Sequence, residues 1–240
     1  MPHPEFVLQP GDVFNVECQA YILYDYEVRT GGSIAWFNNN PGNIRPDASH
    51  EAERYGAYAG KVNYRFAIFP DKQTGFNAIK SYLRARPNRS ILSLMESYAP
   101  WIDGNNNPTV YAQNIANRLQ VSESTLIGSL REDQLEIFAA EIQRIEGWRA
   151  GTSYSLDALP DAVLQALTDP ATQPTTMLLR GDRNDSVTYL QSLLQARGHT
   201  LQVDGIFGPG TEAAVKAFQR AANLTADGIV GAKTWCALIG

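Results

Sequence analysis

The apolar positions of this chain change their period along its length. Residues 11–37 carry Val, Ile, Tyr and Phe in partial alternation without helical spacing, which predicts two strands joined near Gly31-Gly32. From about Thr74 the spacing turns helical. Phe76, Ile79, Tyr82 and Leu83 form one stripe, and Ile91, Leu94, Met95 and Tyr98 form a second, with Ser90 placed to cap it and Pro100 to stop it. Asn105-Asn106-Asn107-Pro108 reads as a loop before a helix through Val110, Ile115 and Leu119, and a last long helix is expected from about Glu132 to Glu146. After Gly151 the chain becomes Ser-, Thr- and Pro-bearing as far as Thr176, interrupted by a helical island at 158–168, and reads as a semi-flexible linker. Val187, Leu190, Leu193 and Leu194 then make another stripe, ended by Gly198.

The C-terminal segment repeats itself. Asp-Gly-Ile-x-Gly-x-x-Thr runs from Asp204 to Thr211 and again from Asp227 to Thr234. Asp-Gly favours a tight turn because glycine tolerates positive φ, and each Thr is expected to cap the helix that follows. Val215 and Phe218 after the first copy, and Trp235, Leu238 and Ile239 after the second, are spaced to face one core. Three short helices with two matching loops follow.

This segment resembles the peptidoglycan-binding domain type 1 family. The resemblance rests on Leu179-Arg180-Gly181-Asp182, Val187 with Leu190-Gln191, Val203-Asp204-Gly205, Ala214-Val215 with Phe218-Gln219, and Asp227-Gly228-Ile229-Val230-Gly231. It implies a bacterial cell-wall ligand, with Asp204, Phe207 and Asp227 as wall-binding candidates.

Composition narrows the remaining choices. At 240 residues with 44% apolar content, the chain has room for one larger and one smaller domain: 1–151, the linker 152–176, and 177–240. A net charge of −5 argues against nucleic acid, and no apolar run reaches the length of a membrane span. The start, Met-Pro-His-Pro-Glu-Phe, lacks the basic and apolar pattern of a signal peptide. Synthesis in the cytoplasm, followed by holin-type release or a dedicated secretion machine, is therefore expected. Cys18 and Cys236 lie in opposite domains and read as small buried residues rather than a disulfide or zinc framework.

Two features of the first domain point to chemistry. In Asn38-Asn39-Asn40-Pro41-Gly42-Asn43, preceded by Trp36 and Phe37, amides sit beside aromatic surface, a combination that binds sugars. The alternative is an Asn-rich turn whose side chains satisfy the backbone. The second feature is Glu146. On a helical projection it falls inside the apolar arc of Leu135, Phe138, Ala139, Ile142 and Ile145, about 40° from Ile142. Glu136 and Glu141 fall outside that arc and read as solvated. A carboxyl at the lip of a core, beside Trp148, has its pKa raised by desolvation, as a general acid for glycoside cleavage requires.

The run Gly31-Gly32-Ser33-Ile34-Ala35-Trp36-Phe37 followed by Asn38–Arg45 resembles a family of lysozyme-like proteins of phage particles and secreted antibacterial effectors. So do Phe66–Pro70 with Gly75, Tyr98-Ala99-Pro100 with the Asn loop and Tyr111, and Ile145-Glu146-Gly147-Trp148. The resemblance spans about residues 29–151 and departs from the family at Phe37 and Asp103-Gly104. It implies an α+β, mainly helical fold: a lysozyme-like catalytic domain plus a small three-helix peptidoglycan-binding domain. In most lysozyme-like folds the catalytic Glu precedes the Asn turn; here the order is reversed, and a circular permutation would bring Glu146 to Asn40 and Asn43. The implied activity is cleavage of the glycan backbone between N-acetylmuramic acid and N-acetylglucosamine. Glu146 would be the acid, Asn43 its companion, and Asn39, Asn40, Trp36, Tyr98, Trp101, Tyr111 and Trp148 the sugar cleft.

A second carboxylate is usual in such enzymes. Glu27 leads the candidates Glu17, Asp25, Asp71 and Asp103, and its absence would favour a lytic transglycosylase on the same bond. No cofactor or metal is implied, and the partners are peptidoglycan and either an immunity protein or a secretion or particle component. The competing classes are a wall-peptide amidase or peptidase, for which His3, His50, His199 and Cys18 offer few ligands, and a non-catalytic wall-binding component.

Overall fold

The computed structural model describes residues 5–47, 49–98 and 107–240; Trp101, Asp103, His3, Pro100 and the Asn105-Asn106 part of the loop lie outside the described residues. The protein is α+β, with a helical C-terminal domain. Three strands, β1 (Val13–Val16), β2 (Gln19–Leu23) and β3 (Glu27–Thr30), form an antiparallel meander in place of the expected two. The extra turn falls at Glu17 and Cys18, whose φ values of 49° and 63° form a two-residue hairpin loop without a glycine to announce it. Gly31 and Gly32 join no strands. They end β3, and Gly32 lets the chain pass Gly151, whose amide nitrogen would lie 2.7 Å from a Cβ there.

The helices follow their stripes. α1 (Ile34–Phe37) is capped by Ser33, and α2 (Glu51–Arg54) follows the Asn-rich loop. A hairpin of β4 (Val62–Asn63) and β5 (Phe66–Ala67) precedes α3 (Lys72–Arg84), capped by Asp71. α4 (Ile91–Tyr98), α5 (Pro108–Leu119) and α6 (Glu132–Ile145) complete the first core, in which Ile79, Leu83, Leu94, Met95, Ile115, Phe138 and Ile142 are buried together. Ser90 Oγ accepts from the Ser93 amide and Asn107 Oδ1 from that of Val110, so both helices have polar caps.

Glu141 is not solvated as its helical angle suggested. It is 3% exposed, its carboxylate held by Arg144 at 2.5 Å and Arg118 at 3.4 Å. α5 packs over that flank of α6, and the two guanidiniums supply the charge that burial requires.

The stretch read as a linker is folded. β6 (Thr152–Ser155) pairs antiparallel with β3, giving the sheet order β1-β2-β3-β6. α7 (Asp161–Thr168) buries Val163 and Leu167 against Leu8, Phe14, Tyr21, Leu23 and Val28. Even the run that follows is pinned: the Thr175 amide donates to Val13 O at 2.6 Å and Thr176 Oγ1 to Val62 O at 2.6 Å. Loop-forming composition signals irregular backbone, but a free strand edge and an exposed apolar face on the sheet draw the segment into the fold.

The C-terminal domain comprises α8 (Asp185–Ala196), α9 (Pro209–Ala221) and α10 (Ala232–Ile239), around Leu178, Val187, Leu190, Leu194, Phe207, Val215, Phe218, Val230, Trp235 and Leu238. Ile239 is 49% exposed, because Leu238 takes the inward position at the helix end. The repeated loops are braced by a glutamine each. Gln191 Nε2 donates to Asp204 Oδ1, Ile206 O and Thr211 Oγ1 at 2.8, 3.0 and 3.1 Å, while its Oε1 accepts from the Gly205 amide at 2.9 Å. Gln219 repeats the pattern on Asp227, Ile229, Thr234 and Gly228 at 3.0, 2.9, 3.2 and 2.9 Å. Thr211 and Thr234 serve this brace; the N-caps are Gly208 and Gly231. Replacing either glutamine by leucine would leave buried donors and acceptors unpaired, an expected loss of about 2–3 kcal/mol per site in denaturant unfolding.

Cys18 and Cys236 are joined in a disulfide, with Cα atoms 4.9 Å apart across 218 residues. Their separation in sequence concealed the pair: α10 packs on β1 and β2, and the β1–β2 turn reaches the final helix.

Candidate active site

The Asn-rich loop divides into two kinds of residue. Asn38, Asn39 and Asn40 are fully buried. Asn38 exchanges bonds with Asn63, donating to its carbonyl at 3.2 Å and accepting from its Nδ2 at 3.1 Å. Asn39 accepts from Arg29 at 2.5 Å and donates to Pro70 O at 3.2 Å. Asn40 donates to Ile44 O and Ala67 O, both at 2.9 Å, and accepts from the Ile44 amide at 2.8 Å. These side chains build the loop, so Asn39 and Asn40 are not available to a ligand. Trp36 is likewise core. It packs with Val13, Ile22, Tyr24, Phe37 and Ile68, the Arg29 guanidinium 4.8 Å from its ring centroid. Trp148 packs against the same cluster, with Lys72 over its ring at 5.2 Å.

Asn43 behaves differently. Its φ of 46° turns the chain out of the buried run, and its Nδ2 donates to Glu146 Oε2 at 2.6 Å. Its Oδ1 is buried without a hydrogen-bond partner. Gly42 fits tightly beneath, where a Cβ would lie 2.7 Å from Ile79 and 3.2 Å from the Tyr98 hydroxyl. Glu146 caps the C-terminal end of α6, and Gly147, at φ 73°, turns the chain away.

Glu146 and Asn43 open into a cavity of about 630 Å³. Tyr98 and Tyr111 line it, as do Arg45, Asp47, Glu51, Tyr82 and Arg86. Burial raises the pKa of Glu146 above the ordinary carboxyl range, opposed by the Asn43 bond and the Arg45 charge. The Tyr98 hydroxyl, which donates to Gly42 O, is pushed well above the usual phenol range by burial and then by Glu146. Glu51 moves the other way. Hydrogen bonds from Arg86, at 2.8 and 3.1 Å, hold its carboxyl low, aided by the Tyr55 hydroxyl at 2.6 Å. Asp47 is also lowered, chiefly by the Ser49 hydroxyl. The cavity thus pairs one carboxyl kept protonated to higher pH with two kept ionised, the environmental split that acid–base chemistry uses.

Glu27 is not brought here. It lies outside the cavity lining, bonded to Arg29 at 2.6 Å and to the Ser153 hydroxyl, on the sheet. Asp71 caps α3, Asp25 accepts from Tyr58 at 2.6 Å, and Glu17 is exposed in the hairpin turn. Asp47, Glu51 and Arg86 were missed because the acidic stretch after Pro46 looks like a solvated surface, and only the fold carries it to Glu146. Cys18 is committed to its disulfide and His50 is exposed beside Glu53 at 2.8 Å, so no Cys–His pair forms between them.

In the C-terminal domain Asp204 and Asp227 spend their carboxylates on the turns, also accepting from the Ile206 and Ile229 amides at 2.9 and 2.8 Å. Phe207 is 1% exposed and belongs to the core. None of the three presents a free binding group of the kind expected. This domain instead closes one side of the Glu146 cavity through Leu179, and Arg65 on the cavity wall bonds Asp182 at 3.3 Å and the Arg180 carbonyl.

Residues 183–238 match the family described as "Putative peptidoglycan binding domain". The spore cortex-lytic enzyme of Bacillus cereus is 44% identical over 59 residues, 24% of this chain and 23% of that enzyme. Two solved structures are similar over comparable stretches. The SleB N-terminal domain is 41% identical over 27% of this chain and 90% of that one, with a TM-score of 0.27. A Burkholderia AP3 phage endolysin is 49% identical over 26% of this chain and 24% of that one, with a TM-score of 0.26. The chain therefore spans about a quarter of the length of the cortex-lytic enzyme it matches. The similarity in each case falls on the C-terminal quarter of the chain, which carries the sequence of a peptidoglycan-binding domain.

Proposed function

We propose that the protein is a lysozyme-like peptidoglycan hydrolase that cleaves the glycan backbone between N-acetylmuramic acid and N-acetylglucosamine. The observation that carries this reading is the Glu146–Asn43 pair, a carboxyl of raised pKa held at 2.6 Å by an amide on the wall of an open cavity. Glu146 protonates the bridging oxygen as the glycosidic bond breaks. Asn43 fixes the carboxyl in place on the cavity wall. Tyr98 and Tyr111 offer ring surface to the sugar. With both Glu51 oxygens engaged by Arg86 and Tyr55, Asp47, held through Oδ1 by Ser49 and the Glu51 amide, is the cavity carboxylate assigned to orient a water.

A lytic transglycosylase is the second reading. It is favoured by the position of Glu27 outside the cavity and by the engagement of both Glu51 oxygens. Incubation of the purified protein with isolated sacculi tests both. Soluble fragments with new reducing ends are expected; anhydro-sugar ends would move the assignment to the transglycosylase. New free amino groups without glycan cleavage would overturn both in favour of a peptidase.

A further inference from the structure

The second copy of the repeat does something the first does not. It lines a separate cavity of about 580 Å³ between the sheet of the first domain and the peptidoglycan-binding domain. Val13, Phe37 and Ile229 contribute apolar surface, and much of the remaining wall is small: Gly31, Ser33, Gly231 and Ala232. The cavity is of a size that holds small ligands. Cys18 stands on its wall, so the disulfide ties its two sides together.

Charge in this cavity is sparse. Among the lining residues only Asp227 and Lys233 carry formal charge, and Asp227 Oδ1 is engaged in the glutamine brace. Lys233 is exposed, and no acid pairs with it among the described residues. It has no place in the folding device either. The two copies share the residues of the brace, but at this offset the first copy has Gly210. The cation is thus confined to the copy that faces the sheet.

The two cavities are also neighbours along the chain. Phe37 lines this one, and Gly42 lines the one that holds Glu146. Even a fully extended segment between those residues reaches no more than about 18 Å. Peptidoglycan has a matching form: a glycan bearing short, alanine-rich peptides with a free carboxylate at the end.

We propose that the interdomain cavity is a peptide subsite that takes the carboxylate end of the wall's stem peptide, with Lys233 pairing the carboxylate and the small-residue wall accepting the alanyl methyl groups. The inference rests on the glycan reading of the Glu146 cavity, because it places the branch of the same polymer next to its backbone. Gly231 offers an independent handle. Its φ of −94° suits any residue, and a Cβ there would meet only Met177, at 3.9 Å, so a longer side chain would enter the cavity without disturbing the fold.

The test uses the full chain carrying Glu146→Gln to prevent turnover. It is titrated calorimetrically with a wall tetrasaccharide bearing tetrapeptide stems and with the same tetrasaccharide stripped of peptide. The stem-bearing fragment is expected to bind about tenfold more tightly, one charge-assisted contact's worth. Lys233→Glu and Gly231→Gln are each expected to remove most of that difference and to leave the affinity for the stripped glycan unchanged. Equal affinity for the two fragments, or a stem-bearing affinity unmoved by both substitutions, would overturn the peptide subsite while leaving the glycan site standing. Binding of neither fragment would overturn the glycan reading together with it.

Discussion

Glu146→Gln is expected to lower glycan cleavage by roughly two to four orders of magnitude, the usual contribution of a positioned general acid. The substitution keeps the shape of the side chain and a hydrogen-bonding partner for Asn43, so binding to sacculi should persist while fragment release collapses. The pH dependence follows from the direction of the Glu146 shift. As a general acid Glu146 works protonated, so activity should hold below its raised pKa and fall as pH climbs through it. Stability runs in the same sense. Below the ordinary value of 4.5 both folded and unfolded chains carry a neutral Glu146 and it contributes no difference. Between that value and the raised one, the unfolded chain ionises first, and native stability is lost as pH rises. The Gln variant lacks this titration and should unfold at higher denaturant than the parent above that window. A variant that cleaved sacculi at the parental rate would remove Glu146 from the mechanism.

Loss of the Cys18–Cys236 bond is the second large effect. The bond closes a loop of 218 residues, and removing native disulfides typically costs about 2–5 kcal/mol, more for long loops in the chain-entropy view. Cys18 is exposed, so a reductant can reach it. Cys18→Ser with Cys236→Ser, or mild reduction of the parent, should lower the urea midpoint of unfolding and loosen the contact between α10 and the sheet. Hydrogen exchange at Gln19 and Ala20 is the local readout. Identical unfolding curves with and without reductant would argue that the noncovalent contacts hold the two domains unaided. A bond of this kind persists in oxidising surroundings, which accords with the action on the cell wall proposed above.

Much of the helical architecture was legible because it is written locally. The stripes of α3 to α6 and the duplicated loops specify helices, and Glu146 stood out because a carboxylate occupied an apolar angle just before a glycine. Of the two expected partners it meets Asn43, more than a hundred residues away in the chain, and not Asn40, whose amide is used by Ile44 and Ala67. What escaped was set by partners that no local pattern names. Asn39 and Asn40 look like sugar ligands until Arg29, Pro70 and Ala67 are seen to use their amides. The segment after Gly151 looks like a tether until β3 offers it an edge, and the cysteines look unrelated until α10 lies against the first hairpin. Phe207 illustrates the same limit: an aromatic in a loop suits a ligand as well as a core, and only packing decides.

The paired glutamine braces also carry a measurement within the protein. Gln219 lines the interdomain cavity, whereas Gln191 makes the same bonds in a copy that does not line it. A single chemical change made once in each copy is therefore a matched pair, with the local hydrogen bonding held constant. The difference between the two responses gauges how strongly the first domain grips the C-terminal domain, with each repeat acting as the internal standard for the other.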